Sequence, residues 1–437
     1  MNNNWLARYF RFSELNTTMP REVIAGLTTF LSMAYILFVN PVVLSEAGMD
    51  KGAVFTATAL SAAFGTLVMG ILARYPIALA PGMGLNAFFT YSVVIGMGIS
   101  WQTALAGVFI AGVIFLIITV FRIREIIINA IPPELKFATA SGIGLYIAFI
   151  GFKNSGIIVS NQDTFVALGD LTDPGTLLAV IGVVITVILM VRQVKGAIFY
   201  GMIITAIVGM VFGEIPLPNQ IISTAPSLAP TFGVAITHLS DINSIDLIIV
   251  VLTFLFVAFF DTAGTLMAVA TQAKLIVNNK LPRIGRALMA DSSSMVVGSV
   301  LGTSPTTAYI ESSAGVAAGG RSGFSSVVIA ILFLFGLLFS PLLVVVTSSV
   351  TAPALIIVGV LMASSLGNIK WQEFETAVPA FLTILTMPLT YSISTGIAMG
   401  FVFYPITMLV KGRGKELHPI MYFLFFIFLI YFIFLSR

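Results

Sequence analysis

The sequence is dominated by long apolar stretches that alternate with short polar segments. Because a helix needs about 20 apolar residues to cross the hydrocarbon core of a bilayer, these stretches predict fourteen membrane-spanning helices, or spans, in two sets of seven. The first set is predicted at 23–42, 52–73, 77–97, 102–121, 135–152, 175–191 and 196–215. The second set is predicted at 245–270, 287–302, 304–319, 324–346, 350–365, 376–391 and 393–411, with the weakest divisions at 302/304 and 391/393.

The positions of the basic residues support this count, since Lys and Arg concentrate in cytoplasmic loops. With the N-terminus inside, 18 of the 21 basic residues fall in predicted inner segments. Lys51 and Lys153 fall in outer loops, and Arg437 ends the chain. Residues 419–436 are long enough to cross the membrane or to lie against the bundle. At the cell membrane we expect a cytoplasmic N-terminal segment 1–22, a first repeat 23–215, an extracellular connecting segment 216–244, a second repeat 245–411 and a hydrophobic C-terminal segment 412–437.

Composition narrows the class of protein. Hydrophobic residues make up 58% of the chain and its mean hydropathy is +1.06, which a water-soluble fold cannot hide in one core. An all-α polytopic membrane protein is therefore predicted. With no cysteine and two histidines, disulfides, thiolate metal sites and imidazole clusters are excluded, so we expect no enzyme, metal or cofactor. The net charge of +3 comes from scattered residues, which argues against a nucleic-acid partner.

Two predicted spans are interrupted near their starts by helix-breaking residues. The third span begins with Pro81, Gly82 and Gly84, and the tenth contains Pro305 and Gly315. Because each half has an odd number of spans, the halves must have opposite orientations, which is typical of transporters built from inverted repeats. Broken helices at matching places predict a binding site near the middle of the membrane.

Polar groups near these breaks are the candidates for that site. Asp261 and Glu311 lie in apolar stretches that contain no Lys or Arg. A charged side chain at the centre of a bilayer costs about 2.5–3.5 kcal/mol on insertion scales, so it normally has a function. Asn86 and Glu311 follow the prolines of their broken spans at similar distances, so we expect them to face one another. The structural alternative is interhelical hydrogen bonding, which accounts equally well for the amide.

Other intramembrane polar residues have structural explanations. Asp291 is placed at the start of the ninth span, beside three serines, and is expected to be a helix N-cap. Thr28, Ser32 and Tyr35 in the first span either line the cavity or serve helix packing.

Five runs of sequence resemble those of one transporter family. They are GLTTFLSMAYILFVNP (26–41), ARYPIALAPGMGLNAFF (73–89), FFDTAGTLMAVATQA (259–273), GRALMADSSS (285–294) and GTSPTTAYIESSAGVAAGGRSG (302–323). The chain is similar over essentially its whole length to the AzgA-like purine permeases of the nucleobase transporter superfamily. Within that group it looks most like the bacterial hypoxanthine/guanine permeases.

The resemblance implies an importer of purines in which a core domain moves against a gate domain, and it suggests a homodimer. It also places Asn86, Asp261 and Glu311 in contact with the purine. Related sequences often carry a second acidic residue three positions before the FDT motif, where this chain has Ala258, so altered coupling or lower activity is implied. The implied core is about 23–128 and 245–346, and the implied gate is about 129–215 and 350–411.

The chemistry of an oxopurine suits the predicted side chains. The molecule is flat and neutral, with N–H donors beside carbonyl and ring-nitrogen acceptors. Asp261 and Glu311 would accept hydrogen bonds from ring N–H groups, while Asn86 would read the carbonyl side.

Further contacts are expected from the broken backbone and from aromatic rings. Backbone amides at the two breaks, including those of Gly84 and Thr307, would supply additional donors. Phe260 and Tyr309 are the preferred candidates for stacking on the base, because they lie nearest to the polar residues.

Uphill import requires a coupling ion. We expect a proton carried by Asp261 or Glu311, because an uncharged loaded site crosses the apolar barrier more easily than a charged one. Sodium is the alternative ion, with Thr262, Thr265 and Ser312 as its oxygen ligands.

Other functions fit the sequence less well. A different nucleobase, such as adenine, xanthine or uracil, would change the substrate and not the class. An anion transporter of the same architecture is disfavoured because two unpaired acids repel an anion. An intramembrane hydrolase would need an HExxH motif or a close acid pair, and a channel would need a ring of acids; neither pattern is in the sequence.

Overall fold

The computed structural model describes residues 5–121, 123–124, 130–241, 245–275 and 281–435. The predicted fold class is confirmed: the chain is an all-α membrane protein with fourteen spans in two inverted repeats of seven. Eight of the described helices are long and apolar enough to cross a membrane. The remaining spans are shorter or are broken into two pieces.

Spans 1–7 form the first repeat. A short helix, Trp5–Tyr9, precedes them, and strands β2 (Ile158–Asn161) and β3 (Phe165–Leu168) form a hairpin after span 5. The spans are Met19–Met33 with Ile36–Glu46 (span 1), Lys51–Val68 with Met69–Ala73 (span 2), strand β1 Leu79–Pro81 with helices Met83–Ala87 and Phe88–Gly96 (span 3), Trp101–Val120 (span 4), Pro133–Asn154 (span 5), Pro174–Val191 (span 6) and Ala197–Val211 (span 7).

Spans 8–14 form the second repeat, after the short helices Val234–Thr237 and Leu239–Asp241. Both of the weakest predicted divisions are real, since Gly302 and Tyr391 end their helices with a positive φ of 96° and 56°. The spans are Ile245–Gln272 (span 8), Ile284–Leu301 (span 9), strand β4 Thr306–Ala308 with helix Ser312–Ala317 (span 10), Phe324–Gly336 with Leu337–Val344 (span 11), Ser348–Ala363 with Ser364–Asn368 (span 12), Phe374–Thr390 (span 13) and Ile393–Val410 (span 14).

Spans 3 and 10 are broken at corresponding places, as the prolines and glycines predicted. Each begins with a three-residue strand, and the two strands pair antiparallel with Ala80 opposite Thr307. Backbone groups at membrane depth need internal partners because lipid offers none. The pairing of β1 with β4 supplies those partners and holds the two half-helices side by side.

The spans pack into two groups. The first helix group contains spans 1–4 and 8–11, and the second helix group contains spans 5–7 and 12–14. Each group has a close crossing between glycines. A β-carbon on Gly323 would lie 2.1 Å from the carbonyl oxygen of Gly70, and one on Gly359 would lie 2.5 Å from that of Gly144. Small residues let these backbones touch, as is usual between helices in membranes.

A last helix, Pro419–Leu435, follows the short turn Gly414–Glu416. Its Phe428 ring contacts the rings of Phe401 in span 14, at 5.3 Å, and Phe256 in span 8, at 5.1 Å. Its opposite face is apolar and exposed, with Phe423 at 66%. The helix therefore packs against spans 8 and 14, an arrangement that a crossing helix and a helix lying against the bundle share.

Candidate functional site

The paired strands bring the two broken spans together. The amide of Gly82 donates to the carbonyl of Pro305 at 2.9 Å, and that of Tyr309 donates to Ala78 at 2.9 Å. A short helix then leaves each strand, beginning at Met83 in span 3 and at Ser312 in span 10. The candidate side chains lie around this crossing.

Asp261 projects from span 8 toward the crossing. Its Oδ2 accepts a hydrogen bond of 2.9 Å from the hydroxyl of Thr307 in β4. Gly82 lies so close that a β-carbon there would be 2.8 Å from Thr307 Oγ1 and 3.3 Å from Asp261 Oδ2. Three elements therefore fix this carboxylate, which remains half-buried.

Glu311 lies just before the short helix of span 10. Its Oε1 accepts a hydrogen bond of 2.6 Å from the hydroxyl of Tyr35 in span 1. The neighbouring Ile310 is 39% exposed, so this segment borders open space. Within the described part of the chain, neither Glu311 nor Asp261 forms an ion pair with a basic side chain.

Tyr309 lies close to both carboxylates. It lies within electrostatic range of both Asp261 and Glu311. Its hydroxyl donates to the carbonyl of Pro81 at 2.5 Å, which fixes the ring beside the crossing. Thus Asp261, Thr307, Tyr309, Glu311 and Tyr35 share one site.

The other aromatic candidates are placed differently. Phe88 and Phe89 pack against Phe254, with ring centroids 5.1 and 6.3 Å away, and Phe259 packs against Phe115 at 6.5 Å. These rings fill the bundle. The side chain of Phe260 lies outside the described residues.

Asn86 lies in a separate buried polar cluster. Its Nδ2 donates to Asn40 Oδ1 at 3.1 Å, and Asn40 donates in turn to Thr58 and Thr303, each at 2.8 Å. Asn86 is 0% exposed, and its Oδ1 has no partner among the described residues. The amide hydrogen-bonds Asn40, and no hydrogen bond joins it to Glu311 among the described residues. Sequence reasoning missed Asn40, although it lies within one of the runs that carry the family resemblance.

Gly84 packs against the second helix group. A β-carbon there would lie 2.5 Å from Cγ2 of Ile143 in span 5. The start of the span 3 helix is therefore a contact between the two groups.

Comparisons with known proteins identify the family. The Xan_ur_permease model, which describes a permease family, matches residues 20–399.

The chain belongs to this permease family. It is 63% identical to the guanine/hypoxanthine permease PbuG of Bacillus subtilis, over 98% of this chain and 99% of PbuG. It is 44% identical to the adenine permease AdeQ of Escherichia coli, over 94% of this chain and 93% of AdeQ. These similarities confirm the resemblance to AzgA-like purine permeases.

A solved structure shows the same fold. The transmembrane domain of the cyanobacterial bicarbonate transporter BicA superposes with a TM-score of 0.64, at 14% identity, over 87% of the permease and 96% of that domain. At this identity the match concerns the fold alone.

A buried ion pair in the permease was not anticipated. Arg124, expected in a cytoplasmic loop, is 0% exposed, and its Nη2 lies 2.7 Å from Asp291 Oδ2. Asp291 lies within the span 9 helix, so its predicted N-cap role is wrong. Its Oδ1 also accepts from Thr262 at 2.8 Å. The pair ties the end of span 4 to spans 8 and 9.

The hydroxyls suggested as sodium ligands are engaged in the protein. Thr262 donates to Asp291, and Ser312 Oγ accepts a hydrogen bond of 3.0 Å from the amide of Ala78. Thr265 is buried. Two of the three oxygens therefore have structural partners.

Ala258 is 1% exposed and lies about one helical turn before Asp261. It belongs to the main hydrophobic core, which contains residues of both helix groups. An acid at this position would enter that packed surface, so the alanine suits the packing around it.

Proposed function

We propose that this permease imports purine nucleobases across the cell membrane by proton symport, with hypoxanthine and guanine preferred and its N-terminus in the cytoplasm. The observation that carries the proposal is a pair of carboxylates, Asp261 and Glu311, which have hydroxyl partners and no described basic partner beside the crossing of two broken spans. The names of the relatives support the substrate class, since PbuG is a guanine/hypoxanthine permease and AdeQ an adenine permease.

The substrate docks between the two acids in this proposal. Ring N–H groups of the purine donate to Asp261 and Glu311, as carboxylates take up to several hydrogen bonds each. The hydroxyls of Thr307 and Tyr35 hold the two carboxylates in place. Tyr309, near both acids, offers its ring face to the base.

A proton lowers the negative charge of the loaded site. Neither acid has a described basic partner, so a proton on one of them lowers the charge that must move through an apolar surrounding. Asp261 and Glu311 are the two groups that we propose to carry it.

We further propose that the first helix group is the core and the second the gate, and that they alternate access to the site. A layer of contacts joins the groups at the ends of spans predicted to be outside. Asn154 Nδ2 donates to Tyr91 Oη at 2.6 Å and to Glu46 Oε1 at 3.2 Å, and Tyr146 Oη lies 3.1 Å from Ser92 Oγ. This outer contact layer closes one side and must separate when the site opens outward.

Uptake of labelled hypoxanthine tests the transport proposal in cells that lack their own purine permeases. We expect competition by guanine, loss of accumulation with a protonophore, and no uptake by Asp261→Asn or Glu311→Gln. The exposed acids Asp163 and Glu214 provide matched controls as Asp163→Asn and Glu214→Gln. Accumulation driven by a sodium gradient, or normal uptake by either site variant, would refute the coupling or the site.

The absence of cysteine allows a direct test of alternating access. In an Ile310→Cys reporter, we expect slow labelling by a membrane-impermeant maleimide from outside and faster labelling when Asn154→Ala loosens the outer contact layer. Asn219→Ala, at an exposed loop position, is the control. Equal labelling in all three chains would contradict the outer closure.

Anion transport is the rival suggested by the shared fold with BicA. Two acids without described basic partners repel an anion, so the site disfavours it. Bicarbonate uptake above background would support the rival.

A further inference from the structure

The inner end of the first helix group carries an unusual concentration of arginines. Charge placement predicts this end to be cytoplasmic. The arginines come from the N-terminal segment, from the turn after span 2 and from the start of span 9. We call these residues the arginine cluster: Arg11, Arg74, Arg283 and Arg286.

The members of this cluster are close enough to repel one another. Burial lowers the pKa of the Arg283 guanidinium, and the charges of the three other arginines lower it further. Arg11 reaches Glu14 at 3.4 Å in an exposed pair, which contributes little. Among the described residues, Arg74, Arg283 and Arg286 have no ion-pair partner. The cluster thus holds more positive charge than the described protein compensates.

Unsatisfied polar atoms lie in the same place. Arg74 Nε is buried and has no hydrogen-bond partner among the described residues. The guanidinium of Arg283 lies over the Tyr75 ring, 5.2 Å from its centre, and its charge acts on the Tyr75 hydroxyl, which is also buried and without a described hydrogen-bond partner. Buried polar groups normally have partners, so these atoms indicate a missing ligand that can accept hydrogen bonds.

The surroundings of the cluster are those of a lipid interface. Arg74 lies over the ring of Tyr9, 4.2 Å from its centre, and Tyr9 donates to the carbonyl of Ile71 at 3.1 Å. Trp5 stacks on Tyr9 and is 69% exposed, while Leu72 is 45% exposed. Tryptophan beside exposed aliphatic residues at the end of a span is typical of the boundary between headgroups and acyl chains.

We propose that the arginine cluster binds the headgroup phosphate of an anionic phospholipid of the inner leaflet. The phosphate accepts from the guanidinium groups, and the acyl chains run along Trp5, Ile71 and Leu72. Basic pockets between spans on the cytoplasmic side are known to suit anionic headgroups. This site is distinct from the acidic site, and the inference does not depend on the transported substrate.

Tryptophan fluorescence tests the proposal in the full chain. The three tryptophans are Trp5, Trp101 and Trp371, so Trp101→Phe with Trp371→Phe leaves Trp5 as the reporter. In vesicles we expect stronger quenching of Trp5 by brominated phosphatidylglycerol than by brominated phosphatidylcholine at equal mole fraction. Arg74→Gln or Arg283→Gln should each reduce the preference about fivefold, the effect of one basic residue near an anionic surface.

Two controls and one replacement variant complete the test. Arg192→Gln, at an exposed arginine of the predicted inner side, should leave the preference unchanged. If a cluster variant does not fold, the exposed Arg286 replaces it as Arg286→Gln. Equal quenching by both lipids, or an equal effect of Arg192→Gln, would overturn the proposal. Inorganic phosphate should not remove the preference; if it does, the cluster binds a soluble anion and the lipid assignment is wrong.

Discussion

Three acids on the neighbouring spans 8, 9 and 10 are of two kinds. Asp291 on span 9 is paired with the fully buried Arg124 at 2.7 Å. Asp261 on span 8 and Glu311 on span 10 are half-buried and accept from the hydroxyls of Thr307 and Tyr35. The charge of Asp291 is neutralised by Arg124, whereas the other two acids have no cationic partner in the part of the chain that the structure describes.

This difference separates an acid with a structural role from two acids with a proposed functional role. A buried ion pair satisfies its own charges and fixes the helices that carry it, although replacement by apolar residues is often tolerated. An acid that has only hydroxyl partners keeps lone pairs for a substrate or a proton. Their adjacency is therefore informative: Asp291 positions span 8 through Thr262, and the preceding residue, Asp261, lies at the site.

The largest effect is expected at the structural acid. Arg124→Gln leaves the Asp291 carboxylate buried without its cation, and we expect a loss of about 3–5 kcal/mol of stability. The double variant with Asp291→Asn removes both charges and should recover most of that loss. Thermal unfolding of the purified protein in detergent measures both. If the double variant is no more stable than Arg124→Gln alone, Arg124 and Asp291 do not neutralise each other's charge.

A smaller effect is expected from crowding the functional acid. Gly82→Ala places a methyl group 2.8 Å from Thr307 Oγ1 and 3.3 Å from Asp261 Oδ2, which costs about 1–3 kcal/mol of strain. We expect the rate of hypoxanthine uptake to fall by a larger fraction than the melting temperature. In Gly107→Ala the added carbon meets Val250 and Val251 at an ordinary 3.7 Å, so uptake should persist. Equal uptake by the two variants would show that the crossing is not the site.

The smallest effects are expected from removing one hydroxyl donor from each of the two kinds of acid. Tyr35→Phe removes the donor to Glu311 and should weaken hypoxanthine uptake about tenfold, the effect of one hydrogen bond to a charged group. Thr262→Val removes a donor to Asp291 and should instead lower the melting temperature. Uptake kinetics and thermal unfolding are compared for both variants. A lower melting temperature for Tyr35→Phe together with weaker uptake for Thr262→Val would contradict the roles assigned to the two kinds of acid.

Much of the fold is predictable from sequence because bilayer thickness sets the length of apolar runs. Pro81 and Pro305, together with the glycines of their spans, likewise mark the broken spans. A proline alone does not, since Pro353 and Pro405 lie inside helices. Contacts between distant residues were not predictable. Arg124 is 167 positions from Asp291, and its charge suggested a loop.

The site was predictable only in part. Asp261 and Glu311 stand out because an acid is costly at membrane depth. The partner of Asn86 is Asn40, which lies 46 positions earlier in span 1, and no local pattern connects the two amides. Tyr35 lies in span 1, but one tyrosine in an apolar helix does not show which acid it contacts.

The most direct test is the binding of hypoxanthine to purified protein by isothermal titration calorimetry, with Asp261→Asn and Glu311→Gln beside the parent chain. We expect both variants to keep the melting temperature of the parent and to lose measurable binding, because each removes an acceptor of the substrate N–H groups. If either variant binds hypoxanthine as tightly as the parent, the two-carboxylate site is contradicted.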